Sequence, residues 1–424
     1  MKQTVAIVCL LGGIVGQAAE PASAVERALA QEIIGPALSL EEVRVFNETR
    51  VPDMPRVSTA AEWQAKDSEY RRNILDKVVF RGEAAKWRDT PLRVEWSDTI
   101  EGLPGYRIRK LRFEAVTGWW IPALLYEPTK LSGKRPVVLN VNGHDGKGKA
   151  ADYKQLRCIN QAKRGMIALN VEWIGMGQFA SRMSHYQMNQ MDLCGTAGIA
   201  PFFLNMSKGL DILLAHPNAD PTRVAVAGLS GGGWQTIFIS SLDERVTLAN
   251  PVAGYSSFKT RARHGMDLGD SEQTPNDLAL YADYTHLTAM LANRAALLTN
   301  NAYDKCCFTA GHALPPLIAA AAPLIADAAG RVAKGNAAKR LVERAPDHLA
   351  DAIAPSMGFK EKQCGHDAKI PVIETHAHGN LLLRLYGQAR GRGAEYWGKD
   401  FLNSDKWMWI NGVPQRSEIG RAHV

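Results

Sequence analysis

Val224-Ala-Val-Ala-Gly-Leu-Ser-Gly-Gly-Gly-Trp234 is the stretch on which the fold turns. Val224 to Ala227 reads as a short buried strand, and Trp234 to Ser241 reads as a helix. Between them lies Gly228-Leu229-Ser230-Gly231-Gly232, a G-x-S-x-G match. A serine on a sharp strand-to-helix turn is held in strained backbone geometry, with its hydroxyl exposed at the carboxyl edge of the sheet. Glycines on both sides leave room for strand and helix to cross closely. Ser230 is therefore a candidate nucleophile, and the Gly231 amide faces the place where an oxyanion would form. A glycine-rich turn that happens to hold a serine gives the same short pattern; the strand before it and the helix after it favour the nucleophile.

Outward from this turn, strands and helices alternate. Tyr106 to Val116 and Trp119 to Tyr126 read as a hairpin around Thr117-Gly118. Val137 to Val141, opened by Pro136, is apolar enough for a central strand and ends in Asn142-Gly143-His144-Asp145-Gly146. A helix over 153–164 and a strand over 166–171 come next, then the loop Glu172-Trp173-Ile-Gly-Met-Gly177. A helix over 201–216 leads into the Ser230 strand, and a strand over 246–250, ended by Pro251, follows it. Another strand, Ala295 to Asn300, runs straight into Asn301-Ala-Tyr-Asp304. The alternation predicts an α/β fold: one mostly parallel sheet with helices on both faces.

Loops at the carboxyl ends of such strands border the active-site crevice. The His144 loop is thus placed to give a second oxyanion amide through its backbone, its imidazole having no necessary role. Trp173 either lines a substrate pocket or packs only on its neighbours. Asp304, just past a strand, is placed to orient a histidine. The irregular, mixed-charge insertion 252–285 reads as a cap over the site.

The 424 residues hold 50 Lys and Arg against 43 Asp and Glu, a net charge of +7, and 46% are hydrophobic. The basic residues are scattered, with no run and no interleaved aromatic stripe, which argues against a nucleic-acid partner. Lys2, the apolar run Val5 to Val15 and small residues with cuts after Ala18 or Ala24 make 1–24 a secretory signal, so the chain is expected to be secreted or periplasmic. A short N-terminal anchor is the alternative; no other stretch is long and apolar enough for a membrane span. Cys9 would leave with the signal, and Cys158, Cys194, Cys306, Cys307 and Cys364 permit a disulfide or two without fixing a framework. None of their spacings is that of a zinc site. Residues 25–100 read as an N-terminal extension packed on the outside of a main domain over 101–390.

From about Tyr106 to Leu317 the chain resembles bacterial α/β hydrolases of the acetyl xylan esterase and dienelactone hydrolase type. The resemblance is carried by Asn142-Gly143-His144, the Gly228-to-Trp234 turn, Asn250-Pro-Val-Ala-Gly-Tyr255, Asp283-Tyr-Thr-His-Leu287 and Asp304 with its Cys-Cys-Phe. It implies a Ser-Asp-His triad in that chain order, a secreted carbohydrate esterase, a small-molecule or polysaccharide ester as substrate, and no cofactor or metal. By position, Ser230 is its nucleophile and Asp304 its acid. The histidine is His378 if His378-Gly379 stands for the family's His-Gly turn, or His376 if Thr375-His376 stands for its Thr-His version. Both follow the strand-like run Ile370 to Glu374.

Beyond about Ala319 the likeness fades. Residues 319–344 are alanine-rich and basic, 391–424 read as a tail, and Glu418 to Val424 look like an in-frame reading of a sequencing-library adaptor. His376-x-His378 also has the spacing of opening metal ligands in amidohydrolases, but too few ligands follow for such a site. Three alternatives stay open. A prolyl-type serine peptidase shares the turn but would carry a large propeller domain, and no repeats of that kind occur. A dienelactone-type enzyme would have Cys where Ser230 stands. A truncated or catalytically dead hydrolase would show no serine reactivity.

Overall fold

The structure, a computed structural model, describes residues 23–298 apart from 58, 102, 182–183, 253–254, 265–269 and 293, together with 369–375, 381–387, 407–410 and 413–416. Asp304, His376 and His378, and nearly all of the expected signal and of the tail, lie outside the described residues. The chain divides into two units, 1–45 and 46–424. The first holds α1 (Ala24–Ala30), capped by Ser23, and the start of α2 (Leu38–Arg50).

In the second unit, α3 (Ala60–Ile74) starts at Thr59, whose hydroxyl accepts the Glu62 amide at 3.2 Å. That bond satisfies one of the free amides of the first turn. Trp63, Ile74, Val78 and Val79 from this region are buried in the main core. Parts of residues 46–100 thus enter this core, and their last segment, the largely exposed β1 (Val94–Ile100), is an outer strand of the sheet.

The hairpin forms as the sequence predicts: β2 (Tyr106–Val116) and β3 (Trp119–Pro128) pair antiparallel, with Gly118 at φ +83° in the turn. The other strands are β4 (Arg135–Asn140), β5 (Ile167–Val171), β6 (Ala219–Leu229), β7 (Leu248–Val252), β8 (Ala295–Leu298), β9 (Lys369–Thr375) and β10 (Leu381–Gly387). The sheet order is β1-β2-β3-β5-β4-β6-β7-β8-β9-β10. The five central strands, β5-β4-β6-β7-β8, are parallel, and the strands on either flank are antiparallel. A separate hairpin joins β11 (Trp407–Ile410) to β12 (Val413–Arg416). Pro251 does not end its strand as expected; it pairs with Gly228 and the strand runs on to Val252.

Alternation along the central strands divides the core. Val137, Leu139 and Leu169 face a layer that contains Phe202 and Leu210 of α6 (Ala200–Leu214) and Ile237 of α7 (Gly231–Leu242). Ala168 turns to the other face, toward Cys158 and Ala162 of α4 (Asp152–Lys163). Successive side chains of a strand point to opposite faces, so helices on both sides are needed to bury them. Three further short α-helices are α5 (Asn189–Leu193), α8 (Phe258–His264) and α9 (Tyr284–Ala289). Cys158 and Cys194 carry free thiols.

Candidate active site

Ser230 stands between β6 and α7 with φ 62° and ψ −120°, backbone that a non-glycine residue rarely adopts. The turn is pinned on both sides. The Ser230 amide donates to the Val252 carbonyl at 2.9 Å, and the Ser230 carbonyl accepts the Gly233 amide at 2.7 Å. A side chain at Gly228 would collide with the Gly232 carbonyl, which is why strand and helix can cross this closely only with glycine there. Ser230 remains half-buried while every residue of α7 is buried. The free amides of the first turn of α7 begin at Gly231, immediately beside the serine.

The loop after β4 lies against this helix start. A methyl on Gly143 would strike the Leu229 carbonyl and come within 3.0 Å of the Gly231 nitrogen, so only glycine admits the approach. Asn142 fixes the loop from below, its Nδ2 donating to the Val171 carbonyl at 2.6 Å and to Asn170 Oδ1 at 2.9 Å. Lys154 Nζ, from α4, donates to the Gly143 carbonyl at 2.9 Å. With no cis peptide among the described residues, that bond turns the His144 N–H the opposite way. Burial, with the charge of Arg157 beside it, lowers the Lys154 pKa to about 8.

The His144 imidazole is more than a loop ornament. Its Nδ1 lies 3.3 Å from where a Gly231 Cβ would stand, and its Nε2 lies 3.3 Å from Asp270 Oδ2. His185 brings its Nε2 to 3.1 Å from the same oxygen and 2.5 Å from Glu272 Oε2. Asp270 and Glu272 come from the 252–285 insertion and are fully buried. The insertion thus reaches into the site as a buried wedge, held by Gln235 Nε2 donating to the Glu272 carbonyl at 2.5 Å. Burial opposes charge on His185, but the two carboxylates outweigh it and raise its pKa to about 11. On His144, too, burial is outweighed, by the Asp270 hydrogen bond and the charge of Glu272, and its pKa rises. Asp270 is burdened by burial but held well below the usual carboxylate range by the two imidazoles.

Of the residues singled out in the sequence, the structure brings together Ser230, Gly231 and His144. Trp173 is also close, but as a support. It is fully buried, packs on Phe202, and donates from Nε1 to Glu272 Oε2 at 2.9 Å. It presents no surface to a substrate, so the pocket-lining expectation gives way to the packing one. β8 runs parallel to β6 and β7, with Ala225, Leu248 and Ala295 level, so its carboxyl end lies on the same edge as Ser230, and Asp304 follows six residues after Leu298. β9 is antiparallel to β8, with Thr375 level with Ala296. β9 therefore ends level with the amino end of β8, and His376 and His378, which follow it in the chain, lie outside the described residues. His185, Asp270, Glu272 and Lys154 were not found from the sequence. Their spacings match no motif, and the alternation of Asp270 and Glu272 within an irregular segment was the one local signal.

Residues 80–290 match the family model for acetyl xylan esterases. Among solved structures, the methylesterase BT1017 superposes with a TM-score of 0.51 at 18% identity, over 67% of this chain and 60% of that one. A Bacteroides fragilis protein described as a candidate acetyl xylan esterase gives 0.51 at 15% identity, over 63% of this chain and 75% of that one. At such identities the two likenesses show the α/β-hydrolase fold. Residues 80–290, close to half of the chain, thus match the acetyl xylan esterase family, on an α/β-hydrolase fold.

Proposed function

We propose that the protein is a serine carboxylic-ester hydrolase that removes acetyl groups from a plant polysaccharide such as xylan. One observation carries the reading: Ser230 is held in strained backbone at the start of α7, with the Gly143–His144 loop packed against the Gly231 amide. The family match supports the ester and carbohydrate side of the proposal. In the proposed mechanism a histidine takes the proton from Ser230, whose Oγ attacks the acyl carbonyl. The amides of Gly231 and His144 hold the oxyanion, each worth about 3 kcal/mol to the transition state. The histidine gives that proton to the departing sugar oxygen as the ester C–O bond breaks, leaving an acyl-enzyme; a water, deprotonated by the same histidine, then attacks it, releasing acetate and returning the proton to Ser230. Asp304 as the acid and His378 as the base, with His376 as runner-up, rest on the family resemblance alone.

Export by the signal-like 1–24 segment fits a polymer substrate outside the cell, and no helix among the described residues is long and apolar enough to cross a membrane. Acetate release from acetylated xylan by the full chain, beside Ser230→Ala, tests the proposal. Release that depends on Ser230 supports it. Serine-dependent hydrolysis of small esters with no acetate from xylan would remove the polysaccharide from it.

A further inference from the structure

The cluster beside the elbow has the composition and geometry of a metal site. His144, His185, Asp270 and Glu272 each offer one ligand atom, and the four atoms lie within 4.8 Å of one another. They come from three places in the chain: the loop after β4, the loop after β5, and the insertion between α8 and α9. Both imidazole Nε2 atoms converge on one oxygen, Asp270 Oδ2, at 3.3 and 3.1 Å. Ligands about 2.0–2.2 Å from a tetrahedral zinc ion are separated by about 3.3–3.6 Å, so these edges are near those of a bound site.

The surroundings hold the ligands as a metal site requires. His185 Nδ1 is 2.9 Å from the Ile174 carbonyl. A carbonyl can only accept, so Nδ1 carries a proton, and Nε2 is the atom left to face the carboxylates. Such a second bond fixes the tautomer of most metal-binding histidines. Glu272 is held by Trp173 Nε1 at 2.9 Å, and Asp270 Oδ1 accepts the Glu272 amide at 2.9 Å. A second and independent observation points to an occupant. Glu272 Oε1 is buried with no hydrogen-bond partner among the described residues. Buried polar atoms are rarely left this way.

We propose that His144, His185, Asp270 and Glu272 bind one first-row divalent metal ion of the zinc class. Two imidazoles with two carboxylates suit zinc and its neighbours better than magnesium or calcium, which take all-oxygen sets. To admit the ion, the Glu272 carboxylate moves back from His185. The bound ion clasps the insertion to the loops after β4 and β5. Because Glu272 Oε1 and His144 Nδ1 both border Gly231, the clasp fixes the wall of the oxyanion site without touching Ser230.

The test uses the full chain, stripped with a chelator and titrated with zinc chloride by calorimetry and by thermal melting. One zinc per chain and a rise in Tm are expected. Glu272→Gln and His185→Gln should each weaken binding by at least about tenfold, the lower end for disturbed metal shells. Should a variant fail to fold, cobalt substitution of the wild-type chain decides: the visible spectrum of tetrahedral cobalt supports the site, and a spectrum of hydrated cobalt overturns it. Absence of stoichiometric zinc binding by the wild-type chain, or binding unchanged in both folded variants, would also overturn it.

Discussion

Lys154 Nζ donates a 2.9 Å hydrogen bond to the Gly143 carbonyl, and through that one peptide it sets the direction of the His144 amide. Lys154 is therefore a positioning residue for the proposed oxyanion site. Lys154→Met should lower kcat by about tenfold or more, short of the 10²–10³ lost with a whole donor, and leave KM within about twofold. Lys154→Arg should recover part of the loss. Steady-state kinetics on p-nitrophenyl acetate, with a melting curve to confirm folding, checks this. An equal loss through KM would assign Lys154 to substrate binding instead.

Strain at Ser230 predicts a trade between stability and activity. Glycine accepts φ 62° and ψ −120° without cost, whereas serine there is strained by about 1–3 kcal/mol. Ser230→Gly should raise stability by about 1 kcal/mol in urea unfolding while abolishing turnover. A destabilised glycine variant would show that the elbow is held by contacts of the serine side chain.

Asp283 caps α9, and its Oδ1 accepts the amides of Phe258 at 2.7 Å and Tyr284 at 2.6 Å. Burial raises its pKa to about 6, against the pull of those two amides, Thr285 and Lys259. Between the ordinary carboxylate value and about 6 the folded chain holds a proton that the unfolded chain has lost. Stability contributed by this group thus falls as pH rises through that window, by up to about 1.4 kcal/mol per pH unit. Asp283→Asn should flatten the decline, and Asp283→Ala should cost about 1–3 kcal/mol by leaving buried amides unpaired. Urea unfolding between pH 4 and 7 measures both.

The base of the proposed triad is open to a direct comparison. If His378 takes the Ser230 proton, His378→Ala should lower kcat by about 10²-fold or more while His376→Ala changes little. The reverse ranking would select His376. Unchanged turnover in both would move the base elsewhere, and His144, whose Nδ1 faces Gly231, would be the imidazole to test next.

The elbow was legible because its signal is local. Small apolar residues, a serine and three glycines in a row can do little else between a strand and a helix, and α7 begins at Gly231 as that turn requires. Thr117-Gly118 marked its hairpin for the same reason. Trp173 was ambiguous because an aromatic in a loop carries no mark of which way it faces; the carboxylate of Glu272, 99 residues away, decides it. The cluster of His144, His185, Asp270 and Glu272 is assembled by the crossing of three segments, so no spacing within any one of them could announce it. Pro251 misled because a proline in a strand usually ends it, whereas here the neighbouring ladder continues through the Val252 carbonyl and the Ser230 amide.

The central claim is that Ser230 is a working nucleophile. Hydrolysis of p-nitrophenyl acetate by the mature chain, measured beside Ser230→Ala, tests it most directly. The account predicts turnover in the wild-type chain and a rate near background in the variant. Equal, near-background rates in both would contradict it and leave a hydrolase fold without hydrolase chemistry.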